Sequence, residues 1–139
     1  MRHRRYQHVF GGHVNMSPPP RGTGFHHRHN GWNPPGARVR QDADGMEIIL
    51  QRKPSGTYRA RVDVQGPDGN WHPKRGASSF FPDSWHPQRV DNAIREAFRD
   101  RTPHPTEPNI WRGTADGLDI EGFYADPAQS HWYSAWPTN

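Results

Sequence analysis

Ten histidines stand in this chain of 139 residues, and six of them fall early: His3, His8, His13, His26, His27 and His29. Imidazole has an ordinary pKa of about 6.5, so it can give or take a proton at neutral pH. Residues 1–40 also carry seven arginines, Arg21 and Arg28 among them, with no lysine and no acidic residue. Residues 41–139 hold 11 basic and 14 acidic residues, so the positive charge is concentrated at the start. A basic, histidine-rich segment suits a polyanion such as RNA, with a solvated basic tail as the plainer alternative. No cysteine is present, which excludes a disulfide scaffold, a Cys-ligated zinc site and thiol catalysis. Zinc held by His26, His27 and His29 alone is disfavoured, because adjacent side chains diverge and no HExxH or Cys partner accompanies them. A metal site at these three histidines is therefore not expected.

The elements that must position these residues form a small core. Hydrophobic residues make up 30% of the chain, against about 45–50% on the usual count that also includes Gly. Six Trp, six Phe and four Tyr add aromatic mass, and 14 Gly and 15 Pro mark long irregular stretches. No apolar run approaches the ~18–20 residues of a membrane span, and no signal peptide is visible. Residues 1–44 read as a basic loop region with a short ordered piece around Tyr6–Phe10. Residues 45–139 read as sheet, helix and terminal strands, the whole forming one domain over 1–139. Met46–Gln51 and Thr57–Val64 predict a β-hairpin around Lys53-Pro54-Ser55-Gly56, with Tyr58, Ala60, Val62 and Val64 facing inward. Val90, Ala93, Ile94, Ala97 and Phe98 make one apolar stripe, predicting a helix that begins after Pro82–Pro87 with Ser84 or Asp83 as cap. Ile110–Thr114, Leu118–Phe123 and Ser130–Trp136 predict three further strands, with Leu118 and Ile120 facing the core. Phe80, Phe81 and Trp85 are assigned to the core as well. The fold class is α+β: a twisted antiparallel sheet with one main helix packed on it.

Four short motifs occur in a telling order: His8-Val9-Phe10-Gly11-Gly12, Gly22-Thr23-Gly24-Phe25-His26-His27, Ser79-Phe80-Phe81-Pro82-Asp83-Ser84-Trp85, and Tyr133-Ser134-Ala135-Trp136-Pro137. In this order the chain resembles the bacterial EndoU ribonucleases, especially those carried as C-terminal toxin modules of contact-dependent growth-inhibition and related polymorphic toxin systems. The resemblance runs from about residue 6 to 137. It implies an RNase A-like fold and a metal-independent endoribonuclease without a cofactor, acting on RNA, tRNA foremost. The 2′-hydroxyl of RNA is the nucleophile, so the enzyme supplies a base, an acid and donors for the charged phosphorane. The products are a 2′,3′-cyclic phosphate and a 5′-hydroxyl.

Residue by residue, the resemblance puts the catalytic pair on His8 and His26. Ser134 stands where relatives carry Thr, and its hydroxyl can still donate. Trp136 stands where they carry Tyr; an indole can stack on a base but has no phenolic hydroxyl. Lys74, Arg21 and Arg28 are candidates for substrate binding. Pro18-Pro19-Pro20 reads as an insertion between the two histidines, which leaves His13 and His27 as rivals, with His131 as another. Such modules act in the cytoplasm of a target cell after delivery, and they are opposed by a cognate immunity protein, here expected to be acidic. The rival function is a non-catalytic RNA-binding module with a degenerate site.

Overall fold

The computed structural model describes residues 3–138; Arg2, counted in the basic segment, lies outside them. The first forty residues are more regular than the expected loops. Helix α1 (His3–Tyr6) runs straight into a π-helical turn, Gln7–Gly11. Strands β1 (His13–Asn15) and β2 (Arg21–Thr23) pair antiparallel across the triple proline, and β3 (Ala37–Val39) follows. Three-residue strands are held by backbone pairing, which leaves no periodicity to read in the side chains.

Next come β4 (Ile49–Arg52), β5 (Tyr58–Ala60), β6 (Val62–Gln65), β7 (Trp71–Pro73) and β8 (Ser78–Phe80). The expected hairpin forms between β4 and β5, beginning at Ile49 rather than Met46. Its second arm is not one strand. The Arg61 N–H donates to the Ile48 carbonyl at 3.1 Å, while its own carbonyl accepts from the Arg40 N–H at 2.8 Å. Pairing therefore changes partner at Arg61, and the run serves two sheets, β4-β5-β8 and β3-β6-β7. Tyr58, Ala60, Val62 and Val64 are all buried, as their alternation requires. Most of them pack with Phe25, Val39 and Phe80 in one core.

The apolar stripe becomes helix α2 (Pro87–Arg99). Pro87 occupies the first turn, where a missing N–H leaves nothing unsatisfied. The cap differs from expectation: His86, not Ser84 or Asp83, accepts the Gln88 N–H through Nδ1 at 3.0 Å. Val90 and Ile94 are wholly buried, a gain of about 1.5–3 kcal/mol each. They pack on the sheet β12-β11-β10-β9, built from β9 (Thr102–Pro103), β10 (Ile110–Ala115), β11 (Leu118–Tyr124) and β12 (Trp132–Pro137). Gly113 on β10 permits this close approach, since a Cβ there would lie 2.1 Å from the Ala97 carbonyl oxygen. Leu118, Ile120, Trp111, Trp132, Phe81 and Trp85 fill this second core, joined by Val9 and Phe10 from the π-helical turn. The architecture is α+β with every strand pair antiparallel. Among the described residues no helix is long and apolar enough to cross a membrane.

Candidate active site

Residues 24–28 thread between the two cores. The N–H groups of Phe25 and His26 donate to the carbonyls of His8 and Val9 at 2.8 and 2.6 Å, and the Phe81 N–H donates to the His26 carbonyl at 2.8 Å. Gly24 and Phe25 both lie in the left-handed region, with φ of 75° and 69°. For phenylalanine that conformation is strained and persists only where the surroundings enforce it. The Phe25 ring is anchored edge-on against Phe80, with ring centroids 5.0 Å apart, and the next residue, His26, lines the cavity. His8 reaches the same place from the π-helical turn, whose Val9 and Phe10 are fixed in the core. The two imidazole centroids are 6.1 Å apart.

Around them lies a cavity of about 400 Å³, also lined by Lys74, Ser134, Trp136 and Arg21. His26 is held from behind: its Nδ1 lies 2.9 Å from the Ser79 carbonyl oxygen. A carbonyl only accepts, so Nδ1 carries the proton and the neutral ring keeps its lone pair on Nε2. The Lys74 ammonium donates to the Gly24 carbonyl at 3.2 Å and to Ser78 Oγ at 3.1 Å, using two of its three donors. Ser134 Oγ is fully buried and has no hydrogen-bond partner among the described residues. Trp136 forms part of the wall, its ring 5.8 Å from His26 and 5.0 Å from Phe123.

The cavity disfavours extra positive charge. Burial, then the neighbouring His13 and Lys74, push the His8 pKa down to about 3. Burial, then Lys74 and His8, hold His26 well below the ordinary histidine value, with the Ser79 carbonyl opposing the shift. Burial brings Lys74 down to about 8, so it stays mostly charged at neutral pH. Two neutral imidazoles beside one ammonium form a site that an anion would complete. A phosphate diester between them would favour a protonated imidazole and so divide the pair into one acid and one base.

Other candidates are placed elsewhere. Arg28 corrects an expectation: its guanidinium is 3% exposed, donates to Glu47 at 2.6 Å and to the Tyr58 hydroxyl at 3.0 Å, and lies 3.8 Å from Asp83. Desolvated in that way it needs carboxylates, and they turn it away from the cavity. His27 points opposite to His26 and packs edge-on against Phe10, where burial lowers its pKa to about 4. His131 is exposed beside Asp126. His13 does not line the cavity but touches His8, with the two Nδ1 atoms 3.2 Å apart. Sequence reasoning missed Arg75 and Phe123, both on the cavity wall. Arg75 could have been noticed as the neighbour of Lys74; Phe123 carried no such signal.

Comparison with known proteins adds to this geometry. The family described as bacterial EndoU nuclease matches residues 2–139. A protein of Bacillus cereus named "Toxin" is 43% identical over 58 residues, 42% of this chain and 10% of its own length. A protein of Cupriavidus pinatubonensis named "Glucans biosynthesis glucosyltransferase H" is 37% identical over 89 residues, 63% of this chain and 9% of its own length. The chain thus spans about a tenth of the length of these curated relatives. No solved structure matches it.

Proposed function

This chain belongs to the bacterial EndoU nuclease family, and from that premise we propose that it is a metal-independent endoribonuclease. Its reaction is attack of the RNA 2′-hydroxyl on the adjacent phosphorus, leaving a 2′,3′-cyclic phosphate and a 5′-hydroxyl. The observation that carries this reading is the pairing of His8 and His26 across one cavity with the unpartnered Ser134 hydroxyl. His26, with its lone pair on Nε2, is the base that takes the 2′ proton. His8, protonated once the phosphate arrives, is the acid that gives its proton to the leaving 5′ oxygen. The third Lys74 donor and the Ser134 hydroxyl meet the charge that builds on the phosphorane oxygens. Arg21 and Arg75 face flanking phosphates, and Trp136 gives a base a surface to stack on.

The substrate is an RNA, with tRNA the first to test. The toxin name of one relative and the small share of it that this chain spans support a module of a larger delivered protein. Such a module acts in a target-cell cytoplasm and is held in check by an acidic immunity protein. Incubating total tRNA with the wild-type protein, His8→Ala and His26→Ala, with and without EDTA, tests the reading. Cleavage by the wild type in EDTA to cyclic-phosphate ends, lost in both variants, is expected. Binding without cleavage would instead favour an RNA-binding module. Cleavage abolished by EDTA would overturn the metal-independent scheme.

A further inference from the structure

Two residues outside the cavity, His13 and Tyr133, stand in line behind His8. His13 Nδ1 lies 3.2 Å from His8 Nδ1, and His13 Nε2 lies 3.1 Å from the Tyr133 hydroxyl. The Tyr133 ring also packs on His8, with centroids 4.6 Å apart. Its position there is the work of a β-bulge. On β12, Trp132 pairs with Tyr124 and Ser134 pairs with Phe123, so Tyr133 is an extra residue without a partner on β11. Bulges re-aim side chains beside functional sites. This one breaks the alternation and sends Tyr133 toward the histidines, while Trp132 and Ala135 stay in the core.

We propose that His13 and Tyr133 are positioning residues that fix the ring and the proton arrangement of His8, so that Nε2 is the nitrogen presented to the leaving group. The proposal rests on the ribonuclease reading above and deepens it. Only one proton fits between two facing Nδ1 atoms. When His8 is an imidazolium, its Nδ1–H donates to His13 Nδ1. The His13 proton then sits on Nε2 and donates to the Tyr133 oxygen. In the cleavage step the His8 Nε2–H bond breaks as the 5′ O–H bond forms, and the P–O5′ bond breaks. His8 is left neutral with its proton on Nδ1, still donating to His13. One hydrogen-bond arrangement serves before and after the step, so nothing behind His8 must rotate during it.

The arrangement works only while His13 is neutral, because a doubly protonated ring has no lone pair for His8. Burial, then Arg4, lower the His13 pKa, and burial raises that of Tyr133 with Arg4 opposing, so both remain neutral. On the cavity side, the charged or titratable groups facing His8 among the described residues are His26 and Lys74. The contrast with His26 is chemical. Behind His26 stands a carbonyl that can only accept; behind His8 stands an imidazole that accepts only in one protonation state.

The test separates acid assistance from folding and from the ribonuclease reading itself. An oligoribonucleotide spanning the wild-type cut site is made with oxygen or with sulfur as the 5′ leaving atom; a thiolate leaves without protonation. His13→Ala is expected to cut the oxygen substrate about tenfold to a hundredfold more slowly, a fraction of what a general acid contributes, while the sulfur substrate changes by less than about threefold. Tyr133→Phe, which keeps the ring, is expected to show the same selectivity with a smaller loss. His13→Asn, whose amide oxygen can accept from Nδ1, is expected to recover part of the activity lost in His13→Ala. Equal losses on both substrates, or no loss on either, would overturn the relay while leaving the ribonuclease intact. A wild-type protein inert toward the oxygen substrate would remove the ribonuclease reading and the relay with it.

Discussion

Ser134 carries the sharpest chemical demand of any side chain in the cavity. A hydroxyl buried without a partner costs about 1–3 kcal/mol, a cost that makes sense where a bound ligand supplies the missing partner. If that ligand is the phosphorane, the hydrogen bond matters most in the transition state. Ser134→Ala is then expected to lower kcat by about 10²–10³-fold with little change in KM, the range for one lost oxyanion donor. The same substitution removes an unsatisfied group from the free protein, so its melting temperature should hold or rise. Steady-state kinetics and a melting curve on one variant therefore check both halves; unchanged kcat would leave Ser134 without a chemical role. Trp136 is expected to differ in kind. Half-buried against Phe123 and His26, it offers a face rather than a donor. Trp136→Ala should weaken RNA binding by about 1–3 kcal/mol per stacked base, read as a higher KM or Kd, with a smaller effect on kcat.

At the scale of elements, the cavity depends on one strained turn. Gly24 combines a φ of 75° with an approach too close for any side chain: a Cβ there would lie 2.3 Å from the His8 carbonyl oxygen. Gly24→Ala must therefore move His8 and His26 apart or break the hydrogen bond from the Phe25 N–H to the His8 carbonyl that joins their segments. A loss of at least about 1–3 kcal/mol in urea unfolding, with a larger proportional loss of cleavage, is expected. Wild-type stability in that variant would contradict the close approach. The turn also marks the limit of what the residues alone disclose. Helix α2 and the β4–β5 hairpin were legible because their apolar spacing is a local signal. The order of the four motifs pointed to His8 and His26, which the fold brings to one cavity. Choosing His26 over His27 on residue type alone was beyond the sequence, because neighbouring side chains diverge and the choice follows from a positive φ at Phe25, a residue that seldom adopts one. Arg28 misled because the carboxylates that claim it, Glu47 and Asp83, come from distant parts of the chain. Tyr133 was hidden for a related reason: strict alternation on the last strand gives no hint of a bulge.

For the molecule as a whole, the early excess of positive charge is less available than its composition suggests. Arg28 is tied to Glu47 and Asp83, and Arg38 and Arg40 share Asp63. The buried histidines have the wider consequence, because they make stability depend on pH. Burial leads the causes that bring His8 to about 3 and His27 to about 4, and it also holds His26 well below the ordinary value. In the unfolded chain each returns to about 6.5. Between those limits the unfolded state binds more protons than the folded one, so stability rises with pH. Their contribution is fully present above about pH 6.5 and is lost as pH falls toward 4 and 3. Burial opposes the shift, but hydrogen-bonding partners lower the pKa values of Asp68, Asp116 and Asp126, and these groups begin to matter only as pH falls into the ordinary carboxylate range, below about 5. The interval from about pH 6.5 to 5 therefore isolates the histidines. Over it, each one kept neutral should remove up to about 1.4 kcal/mol of unfolding free energy per pH unit. Urea unfolding at pH 7.5, 6.5, 5.75 and 5 reads this directly: a plateau down to about 6.5 and a steady fall below it are expected. A flat profile to pH 5 would mean that these rings accept protons in the folded state as readily as in the unfolded one. The acid and base assigned to the cavity would then lose their electrostatic basis.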